Sequence, residues 1–239
     1  MAEAIISSKL VGVILTGFLP PLLWLFFWLR EDPHPEPRKK LITSFILGMA
    51  VVPVALALEY IWYKFSNLTG LVSADAMTSL ILILPFAFIE EISKFAAAWW
   101  ADLKRSAYYD EPVDAMIYLI TVALGFSALE NMLYISKIFT PDHYITIITA
   151  SFRFFGATFL HTVASGAVGA SIALSFFHKE RQNRNIIGGI LLASALHSAF
   201  NAFIINSESP LVLVRTLFMV WTLIIMLIFV FEKIKRIRA

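Results

Sequence analysis

The chain has 239 residues, 59% of them hydrophobic and only 15% charged, whereas a soluble domain is about 45–50% apolar and about 25% charged. Its net charge of +2 gives nucleic acid no electrostatic footprint, and the lack of cysteine excludes disulfides, thiolate metal sites and a thiol nucleophile. Together with a mean hydropathy of +0.78, these values predict an all-α, polytopic protein integral to the cell membrane, with the lipid bilayer as its solvent.

A spanning helix needs about 20 apolar residues, and about seven segments qualify: 10–29, 41–63, 78–101, 113–137, 153–177, 186–205 and 211–231. The first is too long for the apolar part of a signal peptide, so a retained helix is expected. A Pro-rich linker follows, Asp32-Pro33-His34-Pro35-Glu36-Pro37, flanked by Arg30, Arg38, Lys39 and Lys40. The third segment contains Phe88-Ile89-Glu90-Glu91-Ile92-Ser93-Lys94, and Lys104 and Arg105 follow it. The fourth contains Phe126 and, one turn on, Glu130. Tyr144–Ala150 either lengthens the fifth helix or lies along the interface. The fifth helix pairs His161 with Ser165, and the sixth pairs His197 with Asn201, each four residues apart and so on one face. Lys179, Arg181 and Arg184 lie between them, and four basic residues close the tail. Gly188 and Gly189 read as close-packing points. His34, His143 and His178 read as solvated, and Arg153 and Arg215 as snorkelling to an interface. The basic linkers alternate as seven spans require, which places the N-terminus outside and the C-terminus in the cytoplasm. Little is left for a soluble domain, so residues 1–239 read as one membrane-embedded domain with a core at 78–205.

An ionisable side chain at the bilayer centre costs roughly 2.5–3.5 kcal/mol, and such residues mark functional sites facing a bundle interior. Each has a plainer reading. Glu90 or Glu91 could form an ion pair with Lys94, Glu130 could serve as a structural hydrogen-bonder, and the histidines could be interhelical glue. Their depths argue for a shared cavity. From the 1.5 Å rise, Glu90, Glu130, His161 and His197 lie roughly 10–18 Å below the outer ends of their helices.

Two adjacent acids beside a lysine can divide roles, one ionised and one protonated. An ionised glutamate takes a proton from water, a histidine orients that water or carries the proton, and a His-Asn pair offers donors to an oxyanion. That chemistry is hydrolysis of an acyl or peptide bond. The same residues suit zinc, with Glu130, His161 and His197 as ligands and Glu90 or Glu91 as base. The His-Glu-x-x-His helix of many zinc proteases is absent from the sequence, and the sequence leaves the metal-free and zinc mechanisms both open.

The ordered motifs resemble the PrsW family of intramembrane proteases, distant relatives of the CAAX-prenyl endopeptidases and bacteriocin-processing membrane proteins. Glu-Glu-x-x-Lys matches Glu90-Glu91-Ile92-Ser93-Lys94, and Phe-x-x-x-Glu matches Phe126 to Glu130, followed by Asn131. His-x-x-x-Ser matches His161 to Ser165, preceded by Arg153, and His-x-x-x-Asn matches His197 to Asn201. Asp114 also fits the family pattern. The resemblance implies an endopeptidase acting on a membrane-anchored protein substrate, with a single-pass anti-sigma factor, cut outside the membrane, as the best-known example. From the CAAX enzymes it implies Glu90 or Glu91 as the base and an oxyanion site at His197 and Asn201. The sequence departs from those enzymes at Glu130, where they carry histidine, so His161 is a second proton partner to weigh. Two other functions fit intramembrane Glu, His and Lys: a proton-coupled transporter and a non-catalytic binding subunit. No inverted repeat of the transporter kind is evident.

Overall fold

The computed structural model describes residues 2–72, 79–104, 106–138, 156–205 and 210–237. Among these are seven α-helices: α1 (Ala2–Glu31), α2 (Arg38–Leu68), α3 (Leu80–Ala98), α4 (Asp114–Ile138), α5 (Thr158–Ala173), α6 (Gln182–Ile205) and α7 (Pro210–Ile234). No strand occurs among the described residues. The expected segment Tyr144–Ala150, Arg153 and His143 lie outside them. By length and composition, α1, α2, α4, α6 and α7 can each cross a membrane. The 19-residue α3 carries Glu90, Glu91 and Lys94, and the 16-residue α5 is apolar but shorter. The chain is a multi-pass integral membrane protein.

The bundle is built around α4. Its apolar window is 78% buried, against 22–39% for the other four long helices. A helix apolar all round has no face to give to solvent and must be enclosed. Helices α1, α2 and α5 pack on α4, while α6 packs on α5 and α3, and α7 on α5. Glycine sets the tightest crossings. A Cβ on Gly48 would stand 2.0 Å from the Val122 carbonyl oxygen, and one on Gly125 would stand 2.0 Å from that of Phe45. The backbones of α2 and α4 therefore touch. Gly169 likewise lets α5 reach Met116 of α4, and Gly189 meets Ser171 and Val168 of α5. Gly188 corrects an expectation: a Cβ there would meet nothing within 4 Å, so it is no packing point.

Pro85 lacks an N–H and cannot bond the carbonyl of Ile81, one turn earlier. The Trp62 indole of α2 donates to that oxygen at 2.9 Å. This repair ties α2 to the first turn of α3, well before Glu90 in the chain.

The opposite end of the bundle holds the basic linkers. After α3 the chain makes a π-helical turn, Trp99–Leu103, which buries Asp102. Its carboxylate accepts from Ser44 Oγ at 2.7 Å and lies 3.6 Å from Lys40 Nζ. His34 is 78% exposed, as expected of a solvated residue, and its Nδ1 lies 3.0 Å from Glu111. Lys235 of the tail reaches Glu31 of α1. Arg215 is exposed.

Candidate functional site

The site begins with helical spacing. Glu91 and Lys94 are three residues apart and share a face of α3. That face turns inward, and both side chains are 0% exposed. Lys94 Nζ donates to Glu91 Oε1 at 2.5 Å. It also lies 3.0 Å from His161 Nδ1 and sits 5.1 Å from the centroid of the Phe126 ring. An ammonium is only a donor, so His161 Nδ1 accepts. The ring proton is then assigned to Nε2, which donates to Glu130 Oε2 at 2.8 Å. His197 Nδ1 lies 2.8 Å from Glu91 Oε1, and Ser165 Oγ donates to Glu91 Oε2 at 3.4 Å. The two imidazoles stand nearly perpendicular, with centroids 5.2 Å apart.

Glu91 is thus fully engaged, by a lysine, a histidine and a serine from three helices. Glu90 is not. Its Oε2 is buried without a hydrogen bond, 3.9 Å from His197 Nε2. The side chain of Glu90 is 14% exposed and that of Glu130 is 31% exposed, so the site is least enclosed on their side.

The structure brings together Glu90, Glu91 and Lys94 of α3, Glu130 of α4, His161 of α5 and His197 of α6. Asn201 lies one turn beyond His197 on α6, partly buried. Asn131 binds Thr158 Oγ1 at 3.1 Å and helps fasten α4 to α5. Asp114 stands at the far end of α4, accepting from the backbone N–H groups of Asp110 and Glu111. One carboxylate escaped the sequence reading, namely Glu59 of α2, which is partly buried. The rule that singled out Glu90 would have found it, since it is an acid well inside segment 41–63.

The donor atoms of Glu90, His161 and His197 lie within 4.8 Å of one another. Two histidines and a carboxylate are a common zinc set. Glu91 on His197 Nδ1 provides the outer carboxylate that fixes a ligating imidazole and leaves Nε2 bare. The orphaned Glu90 oxygen is a further donor without a partner. His161 would present a ring nitrogen in exchange for its bond to Lys94 or Glu130. The residues therefore fit a metal. The sequence reading had Glu130 in this set; the tight group contains Glu90 instead, with Glu130 bonded to His161.

A bundle of apolar helices closed around buried carboxylates, histidines and a lysine defines a membrane protein with an intramembrane polar centre of the kind used to activate water. Residues 36–231 match the family model described as PrsW family intramembrane metalloprotease, and the chain belongs to that family. Curated relatives named Protease PrsW agree. The Geobacillus kaustophilus protein is 26% identical over 82% of this chain and 81% of its own, and the Oceanobacillus iheyensis protein is 26% identical over 91% and 94%. The Bacillus subtilis protein is 30% identical over 52% of this chain, and the match spans about half, 54%, of that relative. No solved structure matches the chain.

Proposed function

We propose that the chain is an intramembrane endopeptidase that hydrolyses a peptide bond in a membrane-anchored protein. The observation that carries this reading is the convergence of Glu90, Glu91, Lys94, Glu130, His161 and His197 from four helices inside the bundle. Glu90, His161 and His197 would hold a metal ion, which would supply Lewis-acid polarisation of a carbonyl and lower the pKa of water. Glu91 orients His197 through Nδ1, and Lys94 neutralises Glu91. Glu130, the more exposed of the site carboxylates, takes the water proton at Oε2 and returns it to the departing amine. Asn201, one turn from His197 on α6, would be the donor to the developing oxyanion.

A second reading dispenses with metal and is favoured by one observation: both nitrogens of His161 are already engaged, by Lys94 and Glu130. In it, the free oxygen of Glu90 is the base. A shallow apolar groove of about 370 Å³ between Leu84, Pro85 and Phe88 of α3 and Leu191, Ser194 and Ala195 of α6 supports lateral approach of a membrane segment in either case. The family resemblance makes a single-pass anti-sigma factor, cut on the outer side during a stress response, the substrate class to test first.

The test compares wild type with Glu91→Gln in cells lacking the endogenous copy, at matched membrane levels, by N-terminal proteomics. A single-pass protein that is cut only with wild type, and then cut by purified wild type, supports the protease. Identical fragment profiles, with a phenotype still rescued by both forms, would overturn it in favour of a binding role. Metal analysis of the purified protein separates the two mechanisms. A stoichiometric metal whose removal abolishes cutting selects the first.

A further inference from the structure

Helices α1 and α2 are consecutive, joined by residues 32–37, yet among the described residues their backbones stay apart over nearly their whole length. Each packs on α4 instead. A groove of about 340 Å³ is left between them. Leu22, Leu25 and Leu29 of α1 form one wall, Ile42 and Ile46 of α2 form the other, and the buried Phe45 lies beneath. Spacings of three and four place each set on one helix face. One turn beyond Leu22, Phe18 meets Phe45 with ring centroids 6.2 Å apart, so side chains of the two helices touch at the deep end. Leu22, Ile42 and Ile46 are exposed, and both helices are long and apolar enough to cross a membrane. The groove therefore opens toward lipid.

Among the residues that line it, a single one is polar: Arg38, the first residue of α2, at the end that holds the basic linkers. Its side chain is exposed and makes no hydrogen bond, ion pair or ring contact among the described residues. Other cations at this end are engaged. Lys40 donates to the Ala101 carbonyl at 3.0 Å and faces Asp102, Lys235 reaches Glu31, and Arg30 stands over the Phe26 ring. From Arg38 to Ile46 the helical rise is about 12 Å, and one leaflet of the hydrocarbon core is about 15 Å deep. The groove thus suits an occupant that is apolar over most of a leaflet and anionic at its outer end. A guanidinium binds phosphate through two parallel N–H groups, and basic pockets between membrane helices take anionic head groups. A zwitterionic head group brings its own cation and complements Arg38 less well.

We infer that the groove between α1 and α2 is a binding site for an anionic phospholipid, with its phosphate on Arg38 and an acyl chain along Leu25 and Phe45. The lipid supplies the contact that the two helices do not make with each other. The site is separate from the polar centre at Glu90 and stands without the protease reading.

The test uses the purified full chain, freed of lipid in detergent and titrated with phosphatidylglycerol or with phosphatidylcholine of the same chains. Native mass spectrometry and thermal melts provide the readout. One phosphatidylglycerol per chain is expected to bind, roughly tenfold more tightly than phosphatidylcholine, and to raise the melting midpoint. Arg38→Gln should lose about tenfold in that affinity, the scale of a charge-assisted hydrogen bond, while its lipid-free melt matches wild type. Ile42→Trp fills the groove with Arg38 still in place and should also lose the lipid. Glycerol phosphate, a head group without chains, should not compete at the same concentrations. Equal binding of the two lipids, or a loss in Lys39→Gln as large as in Arg38→Gln, would mean diffuse attraction to a basic surface and overturn the inference. Binding that survives Ile42→Trp, or that glycerol phosphate displaces, overturns the role of the groove. A dimer that Ile42→Trp breaks, with no lipid bound to wild type, would give the groove to a second copy of the chain and overturn it too.

Discussion

Lys94 does three things at once: it neutralises Glu91, donates to His161 and covers the Phe126 ring. A buried charge stripped of its partner is expensive, about 3–5 kcal/mol. Lys94→Met should therefore lower unfolding stability in detergent by about that amount. The double variant Lys94→Met/Glu91→Gln, which leaves no lone charge, should recover much of it. Equal loss in single and double variants would mean that packing, not charge, dominates. At the basic end, burial pushes Glu36 up to about 7, helped by the negative neighbours Asp32, Asp110 and Asp102. An acid with a raised pKa holds more protons folded than unfolded, so stability falls as pH rises from about 4.5 to about 7. Thermal unfolding should show that slope between pH 5 and pH 8, and Glu36→Gln should flatten it.

Helix contacts explain why some of the site was legible and some was not. Glu91 and Lys94 announce themselves as a pair, because residues three apart share a face. That Glu91 rather than Glu90 takes Lys94, His197 and Ser165 depends on the rotation of α3, which spacing alone does not fix. Glycines show the same limit. Nothing in the sequence separates Gly188 from Gly189, yet one faces open space and the other faces α5. Gly188→Ala should be neutral or stabilising by up to about 1 kcal/mol, since alanine is the better helix former. Gly125→Ala must push its Cβ into the Phe45 carbonyl and should cost about 1–3 kcal/mol or more. Midpoints from thermal melts of the two variants check both. The bond from Trp62 to the Ile81 carbonyl is worth testing too. Trp62→Phe leaves that oxygen without its donor and should cost about 0.5–1.5 kcal/mol.

At the scale of the molecule, hydropathy alone located the helices. All seven apolar segments contain a described helix, because a bilayer admits little else. The burial of α4 was not legible in the same way. Its apolar residues resemble those of its lipid-facing neighbours, and only the assembled bundle shows which helix is enclosed. The grouping of Glu90, rather than Glu130, with the two histidines escaped for a related reason: it depends on the packing of α3 against α5 and α6.

The pairing of Glu91 with Lys94 inside α3 also bears on biogenesis. Each charge alone would resist entry into hydrocarbon, at roughly 2.5–3.5 kcal/mol. Both belong to one helix, so they can meet as soon as that helix has formed, without waiting for a neighbour. The nascent segment then offers the insertion machinery a compact neutral pair rather than two separate ions. Domains emerge N-terminal end first during synthesis, so the histidines of α5 and α6 are made after Glu91 and dock onto a carboxylate already held in place.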